Sequence, residues 1–232
     1  MSRLIFSDTY IAVIPSYEET GVHKHSMLHV FVGDEILSLP PYGQGRIMVL
    51  EQNVEHERPQ GRIRFFLFVD PTSAFAEKLR SEYLRGAAFC ASETDQVEKE
   101  ISEVELTEEG IRRFVIDHFG VECFVRRKSI DPRVLRILNR CDHFQYLNIK
   151  VKEIAREMNY SESLITHLFK RETGVSLKSY LLLRKVEFVW KQIASGKRIT
   201  TAVMEGGFAS PSHFSDTCKK LTGISAADVL KR

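Results

Sequence analysis

Apolar residues change their period along this chain. Through the first 70 positions they come in short β-branched, aromatic or aliphatic runs: Tyr10 to Ile14, Leu28 to Val32, Glu35 to Leu39, Arg46 to Leu50 and Ile63 to Val69. Gly21, Gly33, Pro40-Pro41, Gly43, Gly45, Pro59 and Gly61 punctuate them at the intervals of tight turns, which predicts a small barrel or sandwich. After Pro71 the period lengthens. Thr72 is placed to cap a helix to about Leu84 with Phe75, Leu79 and Leu84 along one stripe. Ser92 to Glu109 carries Val97, Ile101 and Val104 on an otherwise acidic helical face, and Thr107 caps a helix bearing Ile111, Phe114, Val115 and His118. Such narrow stripes face either the parent domain or a second copy.

From Asp131 the pattern is helical throughout. Asp131-Pro132 reads as a cap followed by proline at the first helical position, opening a helix with Val134, Leu135, Leu138 and Cys141 inward. The preceding basic segment, Val125 to Asp131, reads as a linker, and its Arg126, Arg127 and Lys128 are solvated charges or brush phosphate. Next, Val151, Ile154, Ala155 and Met158 repeat at helical spacing, and Leu164, Ile165, Leu168 and Phe169 do so again. Between the two, Asn159 accepts the left-handed backbone of a sharp turn, and Ser161 is placed to cap the second helix, with Glu162 and Glu172 at its ends. This is a helix-turn-helix, whose second helix enters a DNA major groove.

The pattern then recurs. Val203 follows Ala155 and Phe208 follows Tyr160 by 48 residues, after which the offset becomes 49: Phe214 answers Ile165, Lys219 answers Lys170, Gly223 answers Gly174 and Ser225 answers Ser176. One residue has been inserted in the second turn, and two units in register are far stronger evidence than one. Ser176 to Ser195 joins them as a helix that Gly196 stops, with Leu182, Val186, Val189 and Ile193 on one face and Tyr180, Leu181, Phe188 and Trp190 on others. About 20 helical residues span roughly 30 Å, near the ~34 Å between successive major-groove faces.

At these residues the chain resembles the arabinose-regulator (AraC/XylS) family of bacterial transcription factors. The resemblance covers about Asp131 to Arg232 and is most specific at Ile199, Gly207-Phe208, Ser210, Ser212, Phe214, Lys219-Lys220, Gly223 and Ser225. The chain departs from the family pattern at Ala202-Val203, Cys218 and Ala226. Where the family commonly places an Arg that reaches DNA, it has His167 and Asp216. An Asp facing phosphate is repelled, so the second unit either binds weakly or reads a cytosine amino group. On the outward faces, Ser163, Thr166 and His167 in the first unit and Ser212, His213 and Ser215 in the second are the candidates for base readout. Lys170, Arg171, Lys219 and Lys220 are placed for phosphates. Each is otherwise a solvated surface residue.

Charge sharpens the division. Residues 131–232 hold 18 Lys/Arg against 10 Asp/Glu, a balance of +8, while residues 1–130 carry −6, so only the second half suits a nucleic acid. Cys90, Cys123, Cys141 and Cys218 form no CxxC pair and no zinc spacing, and read as small core residues in a reducing cytoplasm. No apolar run approaches the ~20 residues of a membrane span, and Asp8 argues against a signal sequence.

The first half carries four histidines of interest. In GVHKHSMLHVFVG, His23 and His25 would share one strand face; His29 and the later His56 complete the group. This stretch and GQGRIMVLEQNVEHE resemble the cupin barrel that many family members use as a sensor domain. By that resemblance His29 stands where metal cupins often have a carboxylate and His56 matches their last ligand. Four imidazoles suit Zn, Fe, Ni or Cu. Sensor-type cupins usually hold no metal, so the expectation is a polar ligand pocket at His23, His25, His29 and His56 without a cofactor; exposed or structural histidines are the remaining alternative.

The chain is therefore expected to be α+β. A small cupin-like β-barrel with flanking helices (1–125) senses a ligand or partner and contributes a homodimer contact; a linker (126–130) follows; an all-α domain (131–232) carries two helix-turn-helix units joined by a long helix. The function this implies is sequence-specific binding of double-stranded DNA, without enzymatic activity. A small-molecule effector or a protein partner controls it, and the regulator meets RNA polymerase. The alternative is a metal-dependent cupin enzyme whose helical half is an interaction module.

Overall fold

The computed structural model describes residues 3–15, 21–121, 130–222 and 225–230. The chain folds as two compact units, Met1–Arg127 with Thr222–Arg232, and Lys128–Leu221. The expected linker lies, but for Ile130, outside the described residues, as do Cys123 and Gly223.

The first unit is built on a six-stranded antiparallel sheet of order β1-β2-β5-β3-β4-β6. Its strands are β1 (Arg3–Phe6), β2 (Tyr10–Ile14), β3 (Leu28–Leu39), β4 (Gly43–Leu50), β5 (Ile63–Val69) and β6 (Phe89–Ser92). β2 and β5 have the bounds their apolar runs predict. Leu28 to Val32 and Glu35 to Leu39, expected as two strands, form one continuous β3 with an irregularity between Val32 and Leu37. Gly33 permits it: a Cβ there would lie 2.4 Å from the Glu35 carbonyl oxygen. β1 and β6 have four residues each, too short for their alternation to register against turn-like flanks.

The two faces of the sheet do different work. Tyr10, Ala12, Leu28, Val30, Val32, Ile47, Val49, Phe65, Leu67 and Val69 share one face and one core with the unit's helices. Those helices are α1 (Ala74–Lys78), continued by a wider π-type turn through Leu84, α2 (Asp95–Ser102) and α3 (Glu108–Phe119). The cap of α1 is Ser73, whose Oγ accepts from Ala76 N, and not Thr72, which is buried with its hydroxyl donating to Asp70. Ser92 ends a strand, and α2 starts after Thr94, its true cap. Thr107 caps α3 as its sequence predicts. Val97, Ile101, Val104, Ile111, Phe114 and Val115 are all buried in the same core, so these apolar stripes face the unit's own sheet.

The second unit is helical. α4 (Pro132–Asp142), α5 (Val151–Glu157) and α6 (Glu162–Thr173) bury Val134, Ile137, Leu138, Ile154, Ala155, Met158, Ile165, Leu168 and Phe169 in one cluster. The Asp131 carboxylate caps α4 by accepting from Arg133 N at 2.9 Å, and Arg133's guanidinium holds it down to about pKa 2. α7 (Leu177–Ala194) has 18 residues, about 27 Å at 1.5 Å per residue, and leads to α8 (Ile199–Glu205) and α9 (Pro211–Thr222); the short α10 (Ala226–Leu230) belongs to the segment grouped with the first unit.

Apolar residues do ring much of α7. Val186 and Val189 are buried, while Leu182 and Ile193 are only half-buried. Periodicity gave no sign of the two buried charges on this helix. Arg184 Nη1 donates to Glu187 Oε2 at 2.6 Å, Arg184 Nη2 lies 3.3 Å from Asp142 Oδ1, and Lys191 Nζ lies 2.9 Å from Glu187 Oε1. Arg184 and Lys191 also stand over the Phe144 ring.

Candidate nucleic-acid interface and histidine cluster

The two turns of the helical unit are built alike. Asn159 has φ 60° and Gly207, 48 residues on, has φ 77°, so the left-handed residue that reverses the chain occupies the same place in both. Ser161 Oγ accepts from Leu164 N at 3.2 Å, and Ser210 Oγ accepts from His213 N at 3.1 Å, an offset of 49. Ala209 is therefore the inserted residue. Gly206 has its own cause: a Cβ there would lie 2.3 Å from Val189 Cγ2, so the end of α8 packs directly on α7.

The exposed faces of α6 and α9 correspond residue by residue at the same offset. Ser163, His167, Lys170 and Arg171 are exposed on α6; Ser212, Asp216, Lys219 and Lys220 are exposed on α9. Thr166 and Ser215 are half-buried, and Thr166's hydroxyl donates to the Glu162 carbonyl of its own helix. His213 is exposed but engaged. Its Nδ1 accepts from Ala209 N at 3.4 Å and its ring meets Phe208 edge-on at 5.5 Å, so it also closes its own turn. Arg171 donates to Glu172 at 3.0 Å across an exposed surface, a contact that water and salt weaken.

Leu164 corrects an expectation. Its spacing places it with the core residues of α6, yet it is 43% exposed and stands among Ser163, Thr166 and His167. The signal that could have found it is position: at the third residue of a capped helix, the apolar arc that fits the core already holds Ile165, Leu168 and Phe169.

Residues 154–232 match the family model described as helix-turn-helix domain. The C-terminal part of this chain is an AraC-type helix-turn-helix domain. No curated protein matches the chain in sequence. Among solved structures, an apo variant of ToxT from Vibrio cholerae strain SCE256 is similar over 96% of this chain and 97% of that one, with TM-score 0.54 and 11% identity. Wild-type ToxT from that strain, bound to unsaturated fatty acid, is similar over 96% and 93%, with TM-score 0.50 and 13% identity. At these identities the likeness shows the fold alone, a β domain followed by a helical domain.

In the first unit the four histidines meet. Ring centroids lie 4.6 Å apart for His23 and His25, 4.7 Å for His23 and His56, 4.5 Å for His25 and His29, and 4.9 Å for His29 and His56. The local chain differs from expectation: His23 and His25 are not on a strand. His23 makes an isolated bridge with His56, each N–H donating to the other's carbonyl at 2.9 Å. His29 lies on β3, on the sheet face opposite the main core, beside Phe31, Phe66 and Phe68. His25, His29 and His56 are buried and His23 is half-buried. Burial, reinforced by the neighbouring imidazoles, pulls His29 well below the ordinary histidine range. Burial also takes His56 down to about 4, against the Val54 carbonyl, which favours its charged form. His29 and His56 are therefore neutral at physiological pH.

Among the described residues, no helix is long and apolar enough to cross a membrane.

Proposed function

We propose that the chain is a transcription regulator that binds double-stranded DNA through both helix-turn-helix units and is controlled at its N-terminal domain. The duplicated turn carries this reading: two caps and two left-handed residues, repeated at fixed offsets, present two exposed helix faces of matching position. In this reading Ser163, Leu164, Thr166 and His167 meet bases, Leu164 through the apolar contact a thymine methyl favours. Ser212, His213 and Ser215 do so from α9, while Lys170, Arg171, Lys219 and Lys220 hold phosphates. Residues 131–232 are the DNA-binding domain, residues 126–130 a linker and residues 1–125 the sensor.

A small molecule or a protein bound to that sensor shifts the DNA affinity, which needs only about 1–3 kcal/mol of coupling. ToxT, of similar fold, has been seen with unsaturated fatty acid bound. Contact with RNA polymerase and a homodimer complete the reading. Because the apolar stripes of α2 and α3 are buried in their own domain, a dimer contact there uses outward residues such as Ile116, 36% exposed. The protein is a regulator rather than an enzyme, and acts in the cytoplasm.

A gel-shift salt titration tests the core of this. Phosphate contacts predict that log affinity falls linearly with log salt, with a slope near −0.9 per phosphate neutralised. A salt-independent association, or none with any genomic fragment, would overturn it.

A further inference from the structure

The histidine cluster has features that a general polar pocket does not require. One ring nitrogen from each of His23, His25 and His56 lies within 4.8 Å of the other two. A carbonyl oxygen only accepts, so the Gly21 carbonyl, 2.5 Å from His23 Nδ1, fixes the proton on that nitrogen. The Val54 carbonyl, 2.9 Å from His56 Nδ1, does the same there. Both rings are left with Nε2 as a lone-pair donor, and His56 Nε2 is buried with no hydrogen-bond partner among the described residues. Backbone acceptors behind metal-binding imidazoles orient the ring and raise its basicity in just this way. Both nitrogens of the buried His29, on the floor of the cluster, likewise lack a partner among the described residues.

We propose that His23, His25 and His56 form a binding site for a divalent late first-row transition-metal ion of the zinc class, with the buried His29 ring packed against His25 and His56. Neutral imidazole nitrogen suits Zn, Ni, Co and Cu, whereas magnesium and calcium require oxygen donors that these side chains do not offer. At a metal–nitrogen distance of about 2.0–2.1 Å, tetrahedral donors stand about 3.4 Å apart. The three nitrogens therefore need to draw together by no more than about 1.4 Å, within the reach of side-chain rotation. The His23–His56 bridge fixes the backbone beneath two of the ligands. This inference rests on the cluster alone and holds whether or not the ion changes DNA binding.

The test uses the full chain, purified without a polyhistidine tag, stripped with chelator and titrated with zinc chloride against a chromophoric competitor. One equivalent is expected to bind tightly. In the wild-type protein, ring-nitrogen NMR shifts should move at His23, His25 and His56 and stay fixed at His118, His143, His167 and His213. Half-buried His23 is the ligand whose replacement disturbs the fold least. His23→Ala and the similarly sized His23→Gln should each lose at least about 10-fold in zinc affinity while keeping wild-type circular dichroism. No stoichiometric binding, shifts confined to the other four histidines, or folded His23 variants that bind as tightly as wild type would each overturn the proposal.

Discussion

Asn159 and Gly207 hold equivalent left-handed positions in two turns 48 residues apart, but only the second is closed to a side chain. A Cβ on Gly207 would lie 2.0 Å from Asn148 Oδ1, whereas Asn159 already carries one. Gly207→Ala should therefore destabilise the helical unit by about 1–3 kcal/mol, combining the left-handed cost with displacement of Asn148. Asn159→Gly should change stability by less than about 1 kcal/mol. Urea unfolding followed by helical circular dichroism measures both.

The pair at the centre of α7 makes a second prediction. Replacing Arg184 by Met leaves Glu187 buried with Lys191 as its remaining cation, and Glu187→Leu leaves Arg184 with Asp142. Each single change should cost toward the lower end of about 3–5 kcal/mol, because a second partner softens the loss. The double variant should cost clearly less than the sum, as a double-mutant cycle would report.

The exposed faces of α6 and α9 make a third. His167→Ala should weaken a specific site by about 1–3 kcal/mol and leave random DNA unaffected, while Lys170→Ala should weaken all sequences and reduce the salt slope by about 1. Leu164→Ala should abolish the penalty of replacing the contacted thymine with uracil. Asp216→Asn should tighten binding to any sequence by removing a carboxylate from the exposed face proposed to meet DNA. Fluorescence anisotropy at several salt concentrations separates these outcomes.

Cys218 makes a fourth. It is buried, and desolvation pushes its thiol from 9 up to about 12. Above pH ~9 the unfolded chain gives up that proton while the folded chain keeps it, so stability falls as pH rises between about 9 and about 12. Cys218→Ala should flatten this slope in denaturation series run across that window. Thiol reagents should label half-buried Cys90 in the native protein and reach Cys218 only on unfolding.

Repetition made the helical half legible. Because Asn159, Ser161, Gly207 and Ser210 do a conformational task their chemistry dictates, the turns and caps could be read directly, and the duplicated register placed the outward faces. What periodicity could not supply was depth. Leu164 repeats with the core yet faces out, and Arg184 and Glu187 read as surface charges yet lie inside, because burial depends on how many neighbours converge on a position. In the β half, strands bounded by glycine and proline were legible, while β1 and β6 were too short to stand out. The histidines were visible as a group, but their assembly depends on a bridge between His23 and His56, residues 33 apart, that no local pattern encodes.

The extra Ala209 and the different partners around it leave α6 and α9 with unlike surfaces: Leu164 is answered by His213, whose ring is tied to its own turn, and His167 by Asp216. On the proposed reading, two such helices sharing one duplex give it polarity. An operator reversed end for end would offer each helix the sequence meant for the other, so promoters should carry the site in one orientation.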